Sequence, residues 1–307
     1  MSDMMTCMPF GQLMDWVLQE KKGQDTVFGV HRPYTADPKN DMTIFTRNLE
    51  TPVGPAAGPH TQLAQNIIAS YYAGARFFEL KTVQKMDGAE LSACVNKPCI
   101  LADDEGYNCE WSTELTVPDA MGEYIKAWFI HHVIAKEFGL GAQKGFQFNI
   151  SVGYDLAGIK GEKVNTFIDG MMEAKDTVIF QECRKWLLDN ADKFQNFTRE
   201  DIEAIPSNVC NSATISTLHG CPPQEIESIA NHLLTEKHLN TFVKCNPTLL
   251  GYDFARKTMD EMGYDYMVFG DFHFRDDLQY EDAVPMLTRL MKLSEELGLE
   301  FGVKITN

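Results

Sequence analysis

The sequence has no C-x-x-C pair, although it contains eight cysteines, at positions 7, 94, 99, 109, 183, 210, 221 and 245. Cys94, Cys99 and Cys109 are separated by four and nine intervening residues, a spacing of neither a zinc ribbon nor a ferredoxin cluster. Scattered reduced thiols are therefore expected, and any iron–sulfur chemistry must lie in another domain or subunit. Positive charge is also scarce. With 27 Lys and Arg against 44 Asp and Glu, the net charge is -17, which argues against nucleic acid or an anionic membrane as the main partner. No apolar run is long enough for a membrane span, and residues 1–24 lack the charged start and apolar centre of a signal peptide, so a cytoplasmic location is expected. Low-complexity tracts are absent, which argues against disorder. So is G-x-G-x-x-G, which argues against a doubly wound dinucleotide-binding sheet.

What is present is an alternation of short apolar runs with amphipathic stretches. The 307 residues, 44% of them hydrophobic, are enough for one α/β barrel of about 250 residues. Residues 1–50 read as an extension, with an amphipathic helix over 3–22 and a short strand at Thr43–Thr46. From residue 51 the periodicity predicts core strands near 52–58, 77–83, 146–152, 213–217, 241–246, 266–270 and 301–306. Helices are predicted at 62–72, 123–138, 164–175, 178–190, 222–235, 254–262 and 282–297, with another starting at Thr198, capped by that residue and Asp201. Residues 85–121 form a polar insertion after the second strand. Most strands end in polar or small residues, the pattern of a (β/α)8 TIM barrel, whose site is built at the C-terminal strand ends. Only seven strands are counted over 51–307, so the barrel is expected to be truncated before its last strand.

Two strand ends carry the strongest chemical signal. Ala56, Ala57 and Gly58 would let a flat ring approach the backbone, because little or no side chain stands in the way. Lys81 is followed by Thr82, a cation beside a hydroxyl at the end of a core strand, and Lys244 occupies a similar place later in the chain. A lysine there is an odd choice unless it meets a ligand or a carboxylate. The adjacent His131 and His132 read as packing on an apolar helix, since neighbours in sequence do not share a helix face. Asp271–Phe274 is a candidate contact at the end of the sixth strand, and Asp276 and Asp277 read as a solvated helix start.

Five segments in order resemble the FMN-binding barrel of the dihydroorotate and dihydropyrimidine dehydrogenase superfamily. They are Pro52–Gly58, Lys81-Thr82, Val152-Gly153-Tyr154-Asp155, Ser216–Gly220 and Val243–Pro247. With Thr61–Asn66 and Leu218–Pro223 added, the run is similar to the N-terminal part of the flavin/iron–sulfur subunit named for selenate reductase. The resemblance implies an FMN-dependent oxidoreductase module that transfers hydride at flavin N5. FAD, NAD(P)H and iron–sulfur clusters would sit in electron-transfer domains or subunits outside this chain. It implies that Ala56, Ala57, Gly58, Lys81, Thr82, Asn149, Ser151, Lys244 and Asn246 bind FMN. A small-molecule substrate would meet Asp155 and Thr214, which stand where the pyrimidine enzymes carry asparagines. The general-acid cysteine of that family corresponds to Thr217, which leaves Thr217, His219 and Cys221 to manage the proton. At the start of a helix, Cys221 is expected to favour thiolate. The same residues leave two other readings: a non-catalytic scaffold barrel, or an aldolase-type barrel with Lys81 or Lys244 as a Schiff-base amine.

Overall fold

Apolar residues at i, i+3, i+4 and i+7 bury one side of helix α1 (Phe10–Gln24) through Phe10, Leu13, Met14 and Val17. The computed structural model describes residues 6–37, 39, 42–88, 90, 115–217 and 220–305. Helix α1 starts later than the predicted residue 3. Pro9 is its N-cap, and a proline pushes the residue before it out of the helical region. Asp25 ends the helix in the left-handed conformation and donates its N–H to Lys21 O.

The predicted strand Thr43–Thr46 is instead a hairpin. Strand β1 (Met42–Ile44) pairs antiparallel with β2 (Arg47–Leu49) across Phe45 and Thr46, whose φ values are 53° and 61°. Two positive φ values give the turn that matches strand twist, normally a task for Asn-Gly. Here a buried Phe45 ring and a bond from Asn211 Nδ2 to Phe45 O (2.9 Å) hold it.

The chain divides into two compact units: residues 1–151 with 161–211, and residues 152–160 with 212–307. In the first unit, β3 (Phe77–Glu79) runs parallel to β4 (Gln147–Val152), with Phe77 opposite Gln147 and Glu79 opposite Asn149. The first predicted core strand does not form a ladder. Residues 53–55 lie extended along β3 and only accept, Val53 O from the N–H groups of Arg76 and Phe77, and Pro55 O from Glu79. Pro52 and Pro55 have no N–H to give. The approach is so close that a Cβ on Gly54 would lie 1.4 Å from Phe77 O.

Helices α2 (Ala64–Ala73) and α3 (Val117–Glu137) pack on each other. Capped by Thr116, α3 begins six residues before its predicted start, so the predicted insertion is shorter at its C-terminal end; residues 91–114 of it lie outside the described residues. Between Tyr124 and Ala135 every residue of α3 is buried, which explains its weak amphipathic signal. His131 stacks on Tyr71 at 4.4 Å between centroids and His132 packs edge-on against Trp128, so the packing reading of this pair holds. The unit also contains α5 (Glu162–Met172), α6 (Val178–Asp189) and α7 (Arg199–Glu203) after α4 (Leu156–Lys160) of the second unit, a short helix without a sequence signal. The Thr198/Asp201 capping box forms as expected.

In the second unit, β5 (Cys210–Ile215, from Ser212 on), β6 (Asn240–Cys245) and β7 (Phe301–Ile305) are parallel, with Ile215 opposite Val243 and Val243 opposite Val303. Helices α8 (Pro223–Thr235) and α11 (Tyr280–Leu297) pack together, joined by a two-point ion pair between Arg289 and Glu227. Helix α9 (Tyr252–Glu261) matches its prediction. The predicted sixth strand, 266–270, is absent: Tyr266 is 74% and Val268 97% exposed, so the apolar pattern is not packed into the sheet. A short helix α10 (Phe272–Asp276) follows, and β7 pairs directly with β6.

Candidate functional site

The ladder between β3 and β4 continues past the end of β3. Leu80 N–H donates to Asn149 O and Val83 N–H to Ser151 O, both at 2.9 Å. That register sets Lys81 and Thr82 level with Asn149 and Ser151, all four side chains buried. Thr82 Oγ1 and Ser151 Oγ are hydrogen-bonded at 2.8 Å, and either hydroxyl can be the donor. The Lys81 backbone is clamped on both sides, its N–H to Thr61 O (3.3 Å) and its O to the Tyr124 hydroxyl (3.1 Å). Lys81 is only 2% exposed, and burying a lysine at a strand end is costly unless its ammonium is paired.

The small-residue segment reaches the same place. Ala57 N–H donates to Glu79 Oε2 (3.1 Å) and Gly58 N–H to Thr61 Oγ1 (3.1 Å). With those N–H groups committed internally, Ala57 and Gly58 offer surface, not donors; Ala56 is exposed and Ala57 half-buried. The first unit thus brings together Ala56, Ala57, Gly58, Lys81, Thr82, Asn149 and Ser151.

Two residues to which the sequence reading assigned no role adjoin this group. Gln62 follows Thr61 and Gln84 follows Val83, and both are fully buried with the amide oxygen and nitrogen of each lacking a hydrogen-bond partner among the described residues. Leaving such atoms unpaired costs about 1–3 kcal/mol per group. Buried orphan amides fit a site that receives the polar edge of a ligand. A glutamine at a helix start or after a strand gives no local signal of this.

In the second unit the strand ends differ from expectation. Lys244 is half-buried near the end of β6. Asn246 donates its amide to Asp277 Oδ2 (2.8 Å), which also accepts from the Thr248 hydroxyl (2.5 Å). Asp277 is therefore no solvated helix start; it is 8% exposed and organises the end of β6. Asp155 is exposed and caps α4, accepting at Oδ1 from Gly158 N–H (2.6 Å), while Glu225 accepts from Leu156 N–H. Thr214 and Thr217 are buried.

The thiolate expectation for Cys221 is reversed. Burial, then the nearby Glu225 carboxylate, pushes the thiol above its ordinary range, against a smaller opposing hydrogen bond with Thr217. The helix start that was to stabilise an anion opens with Pro222 and Pro223, which have no N–H to offer. His219 lies outside the described residues. Asp271–Phe274 does not end a strand; Asp271, Phe272 and His273 are exposed and Phe274 is half-buried, at the start of α10.

Residues 28–307 match the family model described as "Oxidoreductase YgfK, N-terminal TIM-barrel domain". The chain belongs to this family. That fixes the fold as a TIM-barrel domain, in accord with the repeated parallel β/α units. Over its whole length the chain is 45% identical to the protein named "Putative oxidoreductase YgfK" of Escherichia coli strain K12, and equally to that of Escherichia coli O157:H7. It covers 31% of the length of each, so it spans about a third of the curated relatives it matches.

Proposed function

We propose that this YgfK-type domain is the FMN-binding module of a flavin-dependent oxidoreductase. NAD(P)H, FAD and iron–sulfur chemistry would be carried by other domains or subunits and a small molecule would be oxidised or reduced. The observation that carries the reading is the group at the ends of β3 and β4. A buried lysine, a hydroxyl pair, a buried asparagine and two orphan amides lie beside a wall of small residues. FMN, when bound, supplies a ring that takes up or gives a hydride. The chain's own residues bind and tune it. The Lys81 ammonium stabilises negative charge on the ring edge. Thr82, Ser151 and Asn149 orient its hydrogen-bonding edge, and Gln62 and Gln84 can each both donate and accept. Ala56 and Ala57 leave room for the ring face. In the second unit, Lys244 and Asn246 keep the FMN-binding role the resemblance gives them, with Asp277 fixing the Asn246 amide. There also, Asp155 and Thr214 are assigned to substrate, and Cys221 Sγ holds its proton at neutral pH, the state required of a proton donor.

The test is the flavin content of the purified protein, read from its visible spectrum and from FMN released on denaturation, for the wild type and two variants. Lys81→Met is expected to weaken FMN binding at least tenfold. Gln84→Leu is expected to weaken FMN binding while raising the stability of the flavin-free protein, since an orphan amide is replaced by apolar surface. Wild-type protein that neither carries nor takes up FMN would leave the scaffold reading. Unchanged FMN content in a folded Lys81→Met protein would remove Lys81 from the site.

A further inference from the structure

A cavity lies at the opposite end of β4, within the first unit. Its volume is about 320 Å3, and its walls include Arg47, Trp128, Lys144, Phe146, Pro206 and Asn208. Phe146 precedes β4, and Ser151 at the other end of that strand belongs to the group described above. Five residue steps of strand separate them, roughly 16 Å at about 3.3 Å per step. This cavity is therefore distinct from the candidate flavin group, and its chemistry is independent of whether FMN binds there.

The charges in the cavity are unusual for this protein. In a chain of net charge -17, both charged residues lining it are cations. Arg47 is largely desolvated, and burial lowers its pKa. Its guanidinium reaches only Asn208 O, at 3.4 Å, and among the described residues it has no carboxylate partner. Lys144 is exposed and likewise makes no ion pair among the described residues. Polar groups that might compete are already occupied. Trp128 Nε1 donates to Pro206 O (2.9 Å), and Asn208 Nδ2 donates to Met172 O (2.6 Å).

Beneath these cations is an aromatic layer. The rings of Trp128 and Phe146 lie 5.0 Å apart, and His132 packs against both, at 4.7 and 5.2 Å. His132 is 2% exposed, and its Nε2 is buried without a hydrogen-bond partner among the described residues. Arg47 and Lys144 both act electrostatically on that ring, so cations, aromatic walls and an unpaired ring nitrogen converge on one place. A cavity of this size, mostly apolar with a few convergent polar groups, is of the kind that takes a small organic molecule.

We propose that this cavity binds a small aromatic carboxylate, its ring against the surface formed by Trp128 and Phe146 and its carboxylate on Arg47 and Lys144. A guanidinium presents the fork that a carboxylate accepts in two-point fashion, and the ammonium adds a point charge at the open side. Being at the N-terminal ends of the strands, away from the face where barrels place their chemistry, the site suits an effector better than a substrate.

Binding of 2-naphthoate to the purified protein, followed by tryptophan fluorescence and calorimetry, tests this. Saturable binding is expected, with 2-naphthamide and acetate each at least tenfold weaker, since one lacks the charge and the other the ring. Lys144→Gln, at an exposed position, should fold normally and weaken 2-naphthoate at least threefold; Arg47→Gln should weaken it at least tenfold. Trp128→Phe should remove most of the fluorescence change. No saturable binding of 2-naphthoate overturns the proposal. So does equal binding of the amide, or an affinity unchanged in both folded charge variants.

Discussion

Acid should destabilise this protein well above the range where carboxylates protonate, and His132 allows the size of the effect to be worked out. Its imidazole is buried in α3 among Trp128 and Phe146, and the charges that act on it, Lys144 and Arg47, are both positive. Burial, then those cations, pushes its pKa from 6.5 down to about 3. The folded state therefore holds the ring neutral while the unfolded chain protonates it. Unfolded protein binds more protons, so stability rises with pH; the contribution is complete above the unfolded value of 6.5 and is lost as pH falls toward the folded value. Each pH unit in that window is worth about 1.4 kcal/mol, so a fall to about pH 5 removes about 2 kcal/mol, an increase of about thirtyfold in the unfolding constant. His131 acts in the same direction, chiefly through burial and next through Arg76, and adds to the loss. Urea unfolding at about pH 7.5 and about pH 5 reads the difference, in a range where ordinary carboxylates stay ionised. His132→Phe keeps a planar ring but has nothing to protonate, so the loss between the two pH values should shrink by about 2 kcal/mol whatever the variant's starting stability. Equal losses in wild type and variant would refute the argument, because His132 would then be as free to protonate folded as unfolded.

Further outcomes concern the backbone and the thiols. Gly54→Ala should cost about 3 kcal/mol or more, measured by denaturant unfolding, because its Cβ would fall 1.4 Å from Phe77 O and force residues 53–55 away from β3. A fully stable Gly54→Ala protein would mean that this segment is not docked. Cys221 should be alkylated by iodoacetamide more slowly than a free thiol at about pH 8, with the rate rising only at higher pH than for that thiol, since burial and Glu225 favour the protonated form. A rate at neutral pH above that of the free thiol would restore the thiolate reading.

Features set by neighbours in sequence are legible in the sequence alone. The period of α8, with proline at its start, and the Thr198/Asp201 capping box are such features, because a helix and its caps are satisfied within a few residues. The parallel β/α order and the Lys81-Thr82 strand end are legible too, since short apolar runs alternate with amphipathic stretches along the chain. Other features depend on partners far away in the chain. Residues 266–270 carry a strand pattern, but β7 takes the place beside β6 and the segment stays exposed. Asp277 reads as a surface charge until Asn246 and Thr248 fold over it, and Cys221 reads as a thiolate until burial and Glu225 are counted. Gln62 and Gln84 give no local sign of losing both water and protein partners. Local pattern fixes which element a residue belongs to. Only tertiary packing decides whether it keeps its water, and so what charge and which hydrogen bonds it has left to offer.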